Sequence, residues 1–425
     1  MKIENTAAKN DCGFMILPDG KYYSLDDRMT HMNNNVLIVG TTGASKTRTF
    51  VIPNICEAVG SYVVTDPKGN LYRKLGGYLR KKGYKVQRVS FVHPEKSVKY
   101  NPFAFLRTSQ QIQEMSYILI GCKAEQSKDH YWDDMATMLL NAVIGYLVET
   151  RPVEERTFTN VIKLLRASAK SGDDPDEETV LKVMMDALRS HNPGSWAADQ
   201  FEFVSGIAER TYNCIYSSAI SGMNTFATRE LDTMLQGNEV DFASIGRQKT
   251  AVFVEVSDTD RSMDRLINLF FTQAINQLCS YADEKCYDNQ LPVPVRFIMD
   301  DFATNCRIQN FENMISNIRS RKISTAIVLQ SMAQLKAGYG DDAQTIIDDC
   351  DTLIYMGGNN PDTAQAIGRR CGKTEDTLLH MPLGTSWIIR RGQKPFNCRN
   401  FDVEDYLKAK REGRMFIPNT GGERI

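Results

Sequence analysis

Short apolar runs open the chain: "VLIVG" (36–40), "SYVVTD" (61–66) and "KVQRVSF" (85–91). Between them lie amphipathic or basic stretches with glycine stops, "KTRTFVIPNICEAVG" and "NLYRKLGGYLRKKG". Runs of this length predict strands, and the intervening stretches predict helices. Strand and helix in alternation predict a mainly parallel sheet covered on both faces. From about residue 107 to 236 the period changes to that of helices, as in "DDMATMLLNAVIGYLVET", "TFTNVIKLLRASAK" and "DEETVLKVMMDALRS". Strand patterns then return at 250–256, 295–301, 323–330, 352–357 and 386–391. The expectation is an α/β domain made of residues 1–106 and 237–410, an all-α domain inserted at 107–236, and a flexible tail at 411–425.

Composition narrows the class. Of 425 residues, 42% are apolar and 24% charged, the balance of an ordinary globular chain. The net charge of −1 excludes the global basic field that sequence-independent DNA binders use, so any nucleic-acid contact has to be local. Ten cysteines form no C-x-x-C pair, and His31, His93, His130, His191 and His380 lack metal-ligand spacing. That pattern implies reduced thiols, a cytoplasmic setting and no structural zinc. The longest apolar stretch, 135–148, falls short of the roughly 20 residues a bilayer requires, so the sequence predicts no membrane crossing by this chain alone.

The chemistry concentrates in "VLIVGTTGASKTRT" (36–49). Gly40, Lys46 and Thr47 keep the spacing of the phosphate-binding pattern G-x-x-x-x-G-K-[ST], while Ser45 stands where the second glycine belongs. A strand feeding a glycine-bearing loop and then a helix aims backbone N–H groups and a helix N-terminus at one anion. Gly40, Thr41, Thr42, Gly43, Ala44 and Ser45 would then form the cradle, Lys46 would meet the β and γ phosphates of ATP, and Thr47 would hold Mg²⁺. The plainer alternative is a strand-to-helix turn with an exposed lysine. At positive φ, Ser45 would cost roughly 1–3 kcal/mol; at negative φ it would be nearly free. A second G-K-T, in "GRRCGKT" (368–374), has Ile367 where the motif needs glycine and follows a helical pattern, which makes it a decoy.

Such a loop needs acids. "RFIMDD" ends an apolar run in Asp300, a candidate Mg²⁺ ligand, and Asp301, a candidate for orienting attacking water. A helix cap after a strand is the competing reading. Gln330 ends the next run, where its amide could sense the γ-phosphate or simply bond to a loop. Arg319 and Arg321, beside Lys322, could serve as arginine fingers across a subunit boundary, touch a nucleic-acid backbone, or form a solvated helix end. Asp66 and Lys68 in "TDPKGNL" fall at the end of the second strand, on the edge where α/β sheets bind ligands, although a Pro-Lys-Gly turn is also only a turn.

In that order the chain resembles the coupling proteins of type IV secretion and conjugation, the TraG-like relatives of RecA-fold DNA pumps. The resemblance rests on "NNNVLIVGTTGASKTRTFVIPNI", "SYVVTDPKGNLY", "KYNPF", "YWDDMATMLL", "RFIMDDFA", "RSRKISTAIVLQSMAQLKAGYG" and "AIGRRCGKT", spread over roughly residues 33–395. It implies a RecA-like nucleotide domain with an all-helical domain, ATP and Mg²⁺ as cofactors, and a hexameric ring. It further implies delivery of relaxase-bound single-stranded DNA, or protein, to membrane-embedded channel components. Lys46, Thr47, Asp300 and Gln330 carry over by position, with Arg319 and Arg321 as finger candidates. Three positions depart from the family pattern: Ser45, the pair Asp300-Asp301 in place of Asp-Glu, and the only about 30 residues before the nucleotide strand, where the family carries a membrane anchor. The expectation is either a soluble variant or a cytosolic piece, cytoplasmic and held at the inner face of the membrane through partners. A hydrolytically weak adaptor that docks relaxosome proteins, or another ring-forming DNA-translocating ATPase, are the alternatives.

Overall fold

The structure, a computed structural model, describes residues 13–121, 131–169, 178–302 and 307–418. Its strands in chain order are β1 (Phe14–Ile16), β2 (Tyr22–Ser24), β3 (Val36–Val39), β4 (Ser61–Pro67), β5 (Lys85–Ser90), β6 (Thr250–Val256), β7 (Val295–Met299), β8 (Ile323–Leu329), β9 (Thr352–Tyr355), β10 (Thr385–Arg390) and β11 (Phe396–Arg399). β1 and β2 form a small hairpin, and the other nine make one sheet in the order β11-β10-β9-β3-β8-β7-β4-β6-β5. From β9 across to β5 every neighbouring pair is parallel; β10 and β11 close one edge antiparallel. The chain therefore forms the α/β architecture its apolar runs predict.

Continuous apolar runs, rather than alternating ones, are what a strand covered on both faces demands. In β3 the two-residue period sends Val36 and Ile38 to one face, against Phe50, Ile55 and Tyr406, while Leu37 and Val39 enter the opposite layer. That opposite layer includes the long helix Asp264–Lys285 and continues into the helices between β5 and β6. Among those helices, Tyr131–Thr150 is the buried one, packed by Trp196–Ser205 and Glu209–Asn224. Side-chain caps start several of them: Thr108 with Gln111 as a reciprocal box, then Thr157, Thr179, Ser195 and Thr228.

Two local features depart from the sequence reading. β11, "FNCR", carries only partly buried side chains and no apolar run, so its pattern is that of a loop; five residues after β10 it pairs back to form the sheet edge. The tail expected to be flexible from residue 411 is packed in its first part. Phe416 is buried, with its ring 5.3 Å from that of Phe401 and 5.5 Å from that of Tyr406, because an aromatic side chain fills the slot beside the helix Val403–Arg411. Residues 419–425 lie outside the described residues.

Asn54 fixes the β1–β2 hairpin to the domain. Its Oδ1 accepts from the Ile16 N–H at 3.0 Å, and its Nδ2 donates to the carbonyls of Ile16 (2.9 Å) and Phe50 (2.8 Å), all away from water. Asn54→Ala would leave buried backbone groups unpaired, each costing about 1–3 kcal/mol. The expected result is a clear fall in the urea midpoint; an unchanged midpoint would show that β1 reaches water without loss.

Candidate functional site

The carboxyl ends of parallel strands are where an open α/β sheet binds ligands, since each strand there releases its chain into a loop. Three adjacent strands, β3, β8 and β7, bring the sequence candidates together at that edge. The loop after β3 spans Gly40 to Lys46 and runs into a wide first helical turn, Thr47–Val51, continued by the helix Ile52–Cys56. It is pinned at its base, where the Gly40 N–H donates to Leu329 O (3.1 Å) and the Thr41 N–H to Gly357 O (3.0 Å). A Cβ on Gly40 would meet the Cβ of Met356 at 3.0 Å and that of Ala44 at 3.2 Å, and Gly43 has φ +86°. Glycine is thus favoured at both positions, at one for space and at the other for backbone angle.

Ser45 has φ 62°, so the costly branch applies: a side chain occupies the left-handed region where glycine is favoured. Ser45→Gly is expected to stabilise the chain by about 1 kcal/mol, the relief of left-handed strain being partly offset by the greater freedom of glycine in the unfolded state. Equilibrium urea unfolding measures this, and a loss of stability would mean that the serine hydroxyl contributes more than the strain costs.

Lys46 is 8% exposed and spans the loop from inside, its Nζ donating to the carbonyls of Gly40 (2.5 Å) and Thr41 (3.1 Å). Burial lowers its pKa, while the carboxylates of Asp301 and Asp300 act in the opposite direction. Thr47 Oγ1 donates to Asp300 Oδ2 at 2.6 Å. Asp300 is buried, and that burial raises its pKa against the lowering effect of the Thr47 bond. Its backbone is fixed on both sides by one hydroxyl: Thr65 Oγ1 accepts from the Asp300 N–H (2.6 Å) and donates to the Asp300 carbonyl (2.9 Å). Asp301, at φ 53°, accepts from Gln330 Nε2 at 3.2 Å, and Thr42 Oγ1 donates to Gln330 Oε1 at 3.3 Å. Loop, acid pair and glutamine therefore form one connected polar group.

The residues fit a polyphosphate with a divalent cation. Among the described residues the N–H groups of Thr42, Gly43 and Ser45 have no protein acceptor, and the Lys46 ammonium lies in the same loop. A hydroxyl and a carboxylate oxygen 2.6 Å apart, Thr47 and Asp300, are the hard oxygen donors Mg²⁺ takes.

Three candidates stand elsewhere, and a fourth, Lys68, stands at the rim within electrostatic reach of Asp301. Asp66 does not face the loop: its two carboxylate oxygens accept from the N–H groups of Leu71 (2.9 Å) and Tyr72 (2.8 Å), because the start of the helix Asn70–Lys81 offers unpaired donors. Lys68 is exposed at the rim and pairs with Asp258 at 2.8 Å; that hydrogen bond is the main cause of its raised pKa. Arg319 and Arg321 precede β8, at the amino ends of the strands and so at the opposite edge from Lys46. Arg319 lies 3.3 Å from Asp27, and Arg321 makes two bonds to Asp283, at 2.8 and 2.7 Å.

The sequence reading missed two parts of this edge. A cleft of about 2070 Å³ opens over the phosphate loop, lined by Arg48, Trp387, Lys394, Arg399, Lys408 and Phe416 among others. Most of its wall comes from residues 379–418, the strands β10 and β11 with the loops, helix and tail around them, which no local motif marks. Glu255, buried at the end of β6, pairs with Arg88 (Nη2 to Oε2, 2.5 Å) and accepts from the Ser90 hydroxyl. A lone glutamate in the apolar run "TAVFVEV" was its one available signal.

Residues 3–399 match the family described as Type IV secretory system Conjugative DNA transfer. Conjugal transfer protein TraG of Rhizobium radiobacter is 18% identical over 353 residues, covering 80% of this chain and 52% of the relative. Protein VirD4 of the same organism is 21% identical over 349 residues, covering 79% and 48%. The chain thus spans about half the length of the curated relatives it matches. Among solved structures, the bacterial conjugative coupling protein TrwBdeltaN70 superposes with a TM-score of 0.69 at 15% identity, over 92% of this chain and 88% of that one. Plasmid coupling protein TrwB in complex with ADP and Mg²⁺ gives 0.67 at 13% identity, over 96% and 91%. These likenesses show the shared RecA-like fold.

Proposed function

The chain belongs to the type IV secretory system conjugative DNA transfer family, and from that premise we propose that it is an ATP-driven coupling protein. It recruits relaxase-bound single-stranded DNA, or a protein substrate, and delivers it to a secretion channel. One observation carries the reading: Lys46, the Thr47–Asp300 pair and the Thr42–Gln330–Asp301 chain of hydrogen bonds converge at the carboxyl ends of three adjacent strands. Solved TrwB structures holding ADPNP, or ADP with Mg²⁺, support ATP and Mg²⁺ as the ligands.

In this reading the loop amides and Lys46 hold the phosphates, and Thr47 with Asp300 holds the cation. Bound ATP supplies the phosphoanhydride whose cleavage drives movement, and Mg²⁺ neutralises charge that develops on it. Asp301 orients the attacking water and takes its proton at a carboxylate oxygen, while Gln330 fixes that carboxylate. Within one chain Arg319 and Arg321 sit at the far sheet edge, so a finger role for either needs a neighbouring copy, as in a ring. Residues 107–236 would form the domain that meets substrates, joined to the nucleotide domain of 1–106 and 237–410. No described helix is long and apolar enough to cross a membrane, and we assign membrane attachment to partner proteins.

Ser45 at positive φ and the short acid Asp301 favour a second reading, an adaptor that binds ATP but turns it over poorly. ATP hydrolysis measured with and without single-stranded DNA separates the two. DNA-stimulated turnover that Lys46→Ala abolishes supports the motor; nucleotide binding with no turnover above that control supports the adaptor.

A further inference from the structure

At the amino ends of the strands, opposite the phosphate loop, lies a cavity of about 80 Å³. Arg296, the second residue of β7, lines it between its register neighbours Tyr62 of β4 and Ser324 of β8. Its side chain is 8% exposed. Among the described residues no carboxylate lies within ion-pairing distance of it, and its recorded hydrogen bond is a long one, from Nε to Ser324 Oγ at 3.3 Å. A buried guanidinium with no anion is costly. Burial accordingly lowers the pKa of Arg296, and the Tyr62 phenol is the neighbouring group that acts against that shift.

Two further cations stand on a lining that is otherwise largely apolar. Arg319 and Lys322 add two positive charges and Asp27, paired with Arg319, removes one, which leaves an excess of about two with Arg296 counted. A phosphate group carries about −1.5 to −2 at neutral pH. The volume suits it too, since at roughly 15 Å³ per water-sized position the cavity has room for about five heavy atoms, a phosphate but no nucleotide. Asn34 and Ser324 also line it, while the Ser61 hydroxyl is spent on the Gln248 carbonyl and the Thr250 N–H.

We propose that this cavity is a second anion site, separate from the nucleotide loop, which binds a single phosphate group through the Arg296 guanidinium. Its bidentate fork matches two phosphate oxygens, and the Lys322 ammonium adds charge from the rim.

The test is calorimetric titration of inorganic phosphate into the full chain carrying Lys46→Ala, which silences the nucleotide loop. Binding is expected there, and adding Arg296→Gln should weaken it by about ten- to a hundredfold, the usual worth of a charged hydrogen-bonding partner. Adding Arg296→Lys instead should weaken it less, since the charge stays and the fork is lost, and thermal unfolding of each variant without phosphate checks that it is folded. Glycerol phosphate in parallel identifies the source: tighter binding than inorganic phosphate points to an esterified ligand, weaker binding to the free ion, and either fits the proposal. No phosphate binding to the Lys46→Ala protein, or equal binding by folded Arg296→Gln, overturns it.

Discussion

Lys46→Ala is expected to bring ATP turnover to background and to weaken nucleotide binding by about 10- to 150-fold, from the roughly 1.5–3 kcal/mol of one charge-assisted contact. Two effects add. The variant removes the cation facing the phosphates, and it releases the loop carbonyls of Gly40 and Thr41 that Lys46 holds from inside. Because the ammonium is largely buried, its interaction with phosphate is weakly screened by water, which places the expected loss toward the upper part of that range. The fold should survive, since the sheet core and the pins from Gly40 to Leu329 and from Thr41 to Gly357 remain. Equilibrium binding of a fluorescent ATP analogue, with thermal unfolding as control, measures the change. Unaltered affinity in a folded variant would remove the phosphate loop from the proposed function.

The second large effect concerns Asp301. If its carboxylate acts on the attacking water, Asp301→Asn should lower turnover by about 10²–10⁴-fold at nearly constant nucleotide affinity. The amide can still pair with Gln330, so the local geometry is retained while the proton acceptor is lost. Asp301→Glu is the informative companion. It moves the carboxylate out by one methylene, the reach found in the Asp-Glu pair of the resembled family, and a displacement of about 1 Å at a reacting centre changes rate by up to about a hundredfold. A rise in turnover in Asp301→Glu would show that the shorter acid limits hydrolysis. Equal turnover in the wild type and Asp301→Asn would assign the water to another group and strengthen the adaptor reading.

Much of the candidate site is legible locally because its chemistry is local. A strand end, a loop and a helix start are consecutive in the chain, so the spacing from Gly40 to Thr47 already dictates their proximity. Asp300, Asp301 and Gln330 end apolar runs, and in a parallel sheet run ends share one edge. The same logic misleads at Asp66, which also ends a strand: the unpaired N–H groups of Leu71 and Tyr72 capture its carboxylate before any ligand can. Arg319 and Arg321 illustrate the converse, since their closeness in sequence to Gln330 says nothing of distance once the whole of β8 separates the two ends.

The α/β class, the parallel strands, the helical block and the strand–loop–helix proposed to hold phosphate follow from periodicity or spacing within a short window, and so are readable from the chain alone. Only the tertiary structure decided strand order, the φ of Ser45, the linkage of Thr42 to Gln330 and Asp301, and the cavity at Arg296. The reason is physical. These features depend on which distant segments the burial of apolar faces brings side by side, and Thr42 and Gln330, 288 residues apart, meet because β3 and β8 are neighbours in the sheet.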